Sequence, residues 1–183
     1  MNPLIKTTLI SGLATFAICW ISILFKAAFV AFVFITILPG PAYGIILLLY
    51  SGKLSSLKTI LFLLLTMLLY YSIIYFLNLH DFTDSFLPYK IFISSICGSV
   101  LLKLLYDLII EETFSFKSTV ASPFLLGAIS SILPSISAFG FQFIDDKSLF
   151  SFISIGLLSI FPLWQYLFSI NMLNENEGKS LEK

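Results

Sequence analysis

The chain has 183 residues, 58% hydrophobic and 11% charged, with ten basic and ten acidic residues and a formal net charge of zero. A soluble domain averages about 25% charged residues, and a small one has too much surface in water to do without them. The composition therefore excludes an ordinary water-soluble domain and, lacking a basic excess, a nucleic-acid binder; the expected fold is an all-α, polytopic transmembrane helix bundle with no soluble domain.

Crossing a bilayer core takes about 20 apolar residues in a helix. Six runs of that kind follow one another, at about 8–25, 27–50, 59–79, 91–110, 120–144 and 148–170, and residues 171–183 form a polar tail expected to fray. The first run is too long, and too directly followed by further runs, to read as a cleaved secretory signal. Its boundary with the second is one residue, Lys26, without turn chemistry. Two geometries compete there. In one, the chain turns near Lys26 and makes six spans. In the other, a tilted helix runs from Thr8 to Leu38, buries Lys26 and leaves five. The first is preferred, because a lysine in mid-membrane is costly.

Pro39, Gly40 and Pro41 interrupt the second run. Two prolines remove two backbone donors and disfavour helix just before each, so a break or kink is expected near Leu38. Prolines also stand in the fifth run (Pro123, Pro134) and the sixth (Pro162), but at no matching positions in the two halves. An inverted-repeat transporter gains no support from them.

Lysines set the expected orientation. With six spans and an internal N-terminus, Lys6, Lys53, Lys58, Lys117, Lys179 and Lys183 fall inside, and Lys26, Lys90 and Lys147 outside. Both termini are therefore expected in the cytoplasm, and the membrane is read as a bacterial inner membrane.

The fourth run carries the most chemistry. Ser95, Ser99, Lys103, Asp107 and Glu111 recur every four residues, which keeps them near one helix face. Lys103 and Asp107 can pair within the helix. The stripe is expected to reach the interface, with Asp107 one turn from Glu111 and Lys103 snorkelling to the same level; buried, it would mark a structural pair, a relay or a cavity. Gly127, Ser131 and Ser135 form a second four-residue series, of small residues that let helices approach closely. Tyr43, Tyr50, Tyr70, Tyr71, Tyr75, Trp164 and Tyr166 are expected near the membrane interfaces.

Metal and enzyme motifs are sparse. His80, the one histidine, lies with Asp81 and Asp84 in an external loop, a weak metal set more simply read as solvated. Cys19 and Cys97 stand alone in apolar runs. Glu111-Glu112 resembles the paired glutamates of CAAX-type intramembrane proteases, but that family also needs an arginine shortly after and later histidines; the chain has no Arg and no His after position 80. Tyr106-Asp107 resembles half of the intramembrane aspartyl-protease signature, and the Gly-x-Gly-Asp half is absent.

Three functions remain. The first is a non-catalytic subunit, accessory, scaffold or immunity protein that works through helix–helix contacts with other membrane proteins. The second is a small transporter or substrate-capture subunit; the chain is similar in size to six-helix vitamin-binding subunits of energy-coupling transporters, without a shared motif. The third is a lipid-modifying enzyme using Lys103 and Asp107 or the His80 group. No cofactor is expected, and the bilayer is the one partner required by composition.

Overall fold

A computed structural model describes residues 2–25, 38–52, 57–78, 85–141 and 159–181. These form six α-helices: α1 (Pro3–Leu24), α2 (Tyr43–Ser51), α3 (Leu57–Asn78), α4 (Leu87–Tyr106), α5 (Ser122–Phe141) and α6 (Ile160–Leu181). Three π-helical turns adjoin them. Leu38–Ala42 leads into α2, Asp107–Glu111 prolongs α4, and Phe116–Ala121 leads into α5. No strand occurs among the described residues.

Four helical segments are long and apolar enough to cross a membrane: Pro3–Ser22, Leu57–Leu77, Leu87–Glu111 and Phe116–Gly140; Gly40–Ser51 is a shorter apolar helix. The chain is a small multi-span helical membrane protein.

Local sequence explains the ends. The Asn2 side chain accepts the Leu4 N–H at 2.9 Å, and Pro3 has no donor to lose in the first turn, so α1 starts earlier than its apolar run. Gly52, at φ 68°, closes α2 in the left-handed region where a Cβ would be strained. Pro88 stands in the first turn of α4. The tail expected to fray is helical to Leu181 instead. Met172 and Leu173 are buried, and the Ser122 hydroxyl donates to Asn171 Oδ1, which ties that turn to α5.

Contacts fix the direction of each helix. Thr8 meets Ser169, while Gly12 lies against Pro162, so α1 and α6 are antiparallel. Gly40 lies on Tyr70 and Gly44 near Leu63, which makes α2 and α3 antiparallel. Lys58 pairs with Glu112 and Gly98 faces Ile73, which does the same for α3 and α4. Ser135 bonds to the Pro88 carbonyl and Thr119 to Asp107, which sets α5 against α4. The helices thus alternate. One end of the bundle gathers the start of α1, the end of α2, the start of α3, the α4–α5 turn and the later part of α6.

The bundle is polar and aromatic within and aliphatic without. Tyr43, Phe62, Tyr70, Tyr106, Trp164 and Phe168 form the buried centre with Leu47, Leu48 and Leu102. Ring centroids lie 5.5 Å apart for Tyr43–Trp164 and for Trp164–Phe168, and 6.0 Å for Tyr70–Trp164. This corrects the interfacial expectation for Tyr43, Tyr70 and Trp164. Their polar atoms find partners inside: Trp164 Nε1 donates to Ser99 Oγ at 2.5 Å, and Tyr43 OH lies 3.0 Å from Ser169 Oγ. Tyr71 and Tyr75 do face outward, on the far-end half of α3. Leu64, Met67 and Leu68 on α3, and Leu125, Ile129, Ile132 and Ile136 on α5, are exposed as lipid requires.

Gly127 brings two helix backbones together. A Cβ on Gly127 would sit 2.6 Å from Ile96 Cα and 2.7 Å from the Ser95 carbonyl. Backbone atoms cannot swing aside as side-chain ends can, so α5 would have to lift off α4. Gly127→Ala is expected to destabilise by about 1–3 kcal/mol. Gly140→Ala, where the new methyl meets nothing within 4 Å among the described residues, is expected to be neutral or slightly stabilising. Thermal unfolding of the two variants in one detergent checks the contrast; equal melting temperatures would refute the close contact.

Candidate functional site

The face of α4 that carries Ser95, Ser99, Lys103 and Asp107 is turned into the bundle, and all four are buried. Ser95 Oγ lies 3.0 Å from Ser130 Oγ on α5. Ser99 donates to the Ser95 carbonyl at 2.8 Å and accepts from Trp164 of α6. Lys103 Nζ donates to Asp107 Oδ1 at 2.5 Å. Thr119, beyond the α4–α5 turn, donates from Oγ1 to Asp107 Oδ2 at 2.6 Å. Glu111 stands apart from this pair: it is half-buried and accepts from Tyr106 OH at 3.3 Å.

Lys103 does not snorkel to an interface. It is 2% exposed and Asp107 3%. The reason is geometric: the four-residue step places the ammonium over its own carboxylate, and Thr119 of the Phe116–Ala121 turn lies on the carboxylate's other oxygen. Away from water a lone charge is expensive, whereas a pair with its remaining lone pairs filled is tolerated. Both carboxylate oxygens of Asp107 are occupied, one by an ammonium and one by a hydroxyl.

The backbone around the pair is wound in an unusual way. The Asp107 carbonyl accepts the N–H groups of both Glu112 and Thr113, the latter at 3.0 Å. Glu112 takes φ 57°, a left-handed conformation uncommon outside glycine and asparagine. Across the turn, Ser115 N–H donates to Thr119 Oγ1 at 3.2 Å, and Thr119 N–H donates to the Ser115 carbonyl at 2.7 Å. π-Helical turns are rare and gather at functional sites, and here two flank one ion pair.

Pro39, Gly40 and Pro41 lie in a π-wound turn, Leu38–Ala42, that runs into α2. The residues just before Leu38, where the break was expected to separate two helical segments, lie outside the described residues. At Gly40 a Cβ would meet the Tyr70 ring at 2.6 Å, so the glycine lets an aromatic ring lie on the backbone.

Gly127 and Ser135 contact α4 directly, and Ser131 is buried with its hydroxyl on the Ala128 carbonyl at 2.7 Å. Gly127 and Ser135 thus meet another helix of the same chain. His80, Asp81 and Asp84 lie outside the described residues, as does Lys26; α1 itself ends at Leu24. Among the described residues no three His, Cys, Asp or Glu side chains gather as a metal set.

A second polar seam had a signal that sequence reading passed over. Thr8, Gly12, Thr15, Cys19 and Ser22 follow one another at steps of four or three, and all are buried. They form one small, hydroxyl-rich stripe on an otherwise apolar helix. Ser169 donates to Thr8 Oγ1 at 3.0 Å, which joins this stripe through Ser169 to Tyr43. Three helices, α1, α2 and α6, share that hydroxyl chain. Thr119 had no such signal, because its partner is brought to it by the turn alone.

Lys103→Met leaves the Asp107 carboxylate buried without its cation. A loss of about 3–5 kcal/mol is expected, most of it regained when Asp107→Leu is added. Equilibrium unfolding in mixed micelles measures both variants; a single variant within about 1 kcal/mol of the parent would mean that water, not Lys103, compensates the charge.

No protein-family model, curated protein or solved structure matches the chain. What is shown is therefore its class, a small multi-span helical membrane protein, and its chemistry is read from its own geometry.

Proposed function

We propose that the chain spans the membrane six times with both termini in the cytoplasm and acts without catalysis, as an accessory or scaffold subunit that meets other membrane proteins through its outward helix faces. One observation carries this reading: the chemistry-bearing side chains Lys103, Asp107 and Thr119 are closed on one another in the interior, and Ser99 is buried against Trp164. A catalytic group needs access to substrate. What the helices turn outward is aliphatic and aromatic surface.

Gly127 is occupied by α4 of the same chain and offers no face to another subunit. The outer faces of α3 and α5 take its place. Strict alternation of the six helices supports the six-span count. Lys6, Lys58 and Lys117 stand at the same end of the bundle as the α4–α5 turn, and Lys90 at the other, which supports a cytoplasmic location for that turn.

A carrier is the second reading, favoured by the buried Lys103–Asp107 pair: ionisable residues inside a membrane commonly mark a transport path.

Two measurements test these proposals. Native mass spectrometry of the protein extracted in mild detergent is expected to give one chain with a different polypeptide. A lone chain with a reproducible small-molecule adduct, lost in the Lys103→Met/Asp107→Leu variant, would replace the subunit reading with the carrier. For orientation, Phe114→Cys in the exposed α4–α5 turn is expected to react with a membrane-impermeant thiol reagent in inverted vesicles only. Labelling in intact cells would reverse the topology.

A further inference from the structure

We infer that Asp107 is a conformational latch: its side chain holds the α4–α5 turn in its π-wound form, and the turn opens locally when the bond to Thr119 is lost. This goes beyond the subunit reading and does not depend on it.

The argument starts from the energetic position of a π turn. Its winding is less favourable than α, so single turns persist where particular bonds hold them. Here two such turns, Asp107–Glu111 and Phe116–Ala121, are separated by residues 112–115. All four of those residues are exposed, and Glu112 has a left-handed backbone. Little packing stabilises them.

The bonds that hold this segment converge on one residue. From Asp107 the carbonyl takes two N–H groups of the outgoing chain, at Glu112 and Thr113. Its carboxylate takes the Thr119 hydroxyl. Thr119 Oγ1 in turn accepts from Ser115 N–H. One aspartate therefore grips the turn at its start through the backbone and at its end through a side chain. Lys103 Nζ lies against the other oxygen of that carboxylate, so both oxygens are held and the side chain is fixed in place for Thr119. Outside this grip, the start of the turn is held by Ile110, buried in the core, and by the Tyr106–Glu111 bond, while residues 112–115 are tied to the bundle by the exposed Lys58–Glu112 ion pair, of the kind that contributes little.

Because the latch closes one hairpin, its release is local. The contact of Gly127 with Ile96 and the bond between Ser95 and Ser130 lie further along the helices and keep α5 on α4. Those positions act as the fixed side of the hinge.

The test is amide hydrogen exchange of the full chain in lipid nanodiscs, comparing the parent with Thr119→Val and Thr119→Ser. Valine keeps the size and branching of threonine and removes the hydroxyl alone, so it leaves the ion pair and the fold in place. Exchange across residues 107–121 is expected to quicken about tenfold or more in Thr119→Val, the scale of losing a hydrogen bond to a charged group. Exchange in α1 and α6 is expected to stay as in the parent, and Thr119→Ser to restore protection. Unchanged exchange across 107–121 in Thr119→Val would overturn the latch. So would a rise spread evenly over all helices, which would make Thr119 a general packing residue.

Discussion

A carboxylate removed from water has to be neutralised by the chain that buries it, and much of this structure is arranged around that requirement at Asp107. Lys103 supplies the charge from one turn back on the same helix, and Thr119 fills the remaining oxygen from the next helix. Because Thr119 lies past the turn, satisfying the carboxylate also sets how α4 and α5 are joined. Replacing such a pair with apolar residues is often harmless to stability, so the pair does not explain itself as a source of stability. It fixes register between two helices, and it gives the turn a reason to be wound as it is.

The same solvent argument runs through the rest of the bundle. In hydrocarbon, polar side chains gain nothing by facing outward, and the hydrophobic effect does not press helices together. Association then relies on close backbone approach and on hydrogen bonds between helices. Gly127 provides the first on the α4–α5 side and Gly12 on the α1–α6 side, where a Cβ would lie 2.7 Å from Pro162 Cα. Hydroxyls provide the second: Ser95 to Ser130, Ser169 to Thr8 and Tyr43. Trp164 and Tyr43 belong to this scheme, with rings in the apolar centre and polar atoms on serines of neighbouring helices.

Sequence alone conveyed the class of the molecule, because twenty-residue apolar segments leave few choices. It also conveyed the α4 stripe, since a four-residue step maps directly onto one helix face. Depth was not readable in the same way. Lys103 near Glu111 suits an interfacial snorkel as well as a buried pair, and the difference depends on whether another helix covers it. Tyr43 and Trp164 misled for a related reason: an aromatic with a polar atom suits either a headgroup layer or an internal serine, and Ser99 is 65 residues from its partner Trp164 and Ser169 126 residues from its partner Tyr43. The two π turns between α4 and α5 had no sequence marker, because Asp107 and Thr119 meet only in the fold. The α1 stripe, by contrast, was there to be read in the spacing of Thr8, Gly12, Thr15, Cys19 and Ser22.

The pairing of α1 with α6 has a consequence for biogenesis. A chain made from its N-terminus inserts α1 well before α6, yet these two share a glycine contact and a hydroxyl bond spanning 161 residues. Until α6 arrives, the Thr8 hydroxyl lacks its partner Ser169 and the backbone at Gly12 lacks Pro162. Assembly on this side is therefore non-local, even though α4 and α5 can close as soon as both are made. The α6-facing part of the α1 stripe thus stays an open flank while α2 to α5 are made, and becomes an interior surface only when α6 is in place.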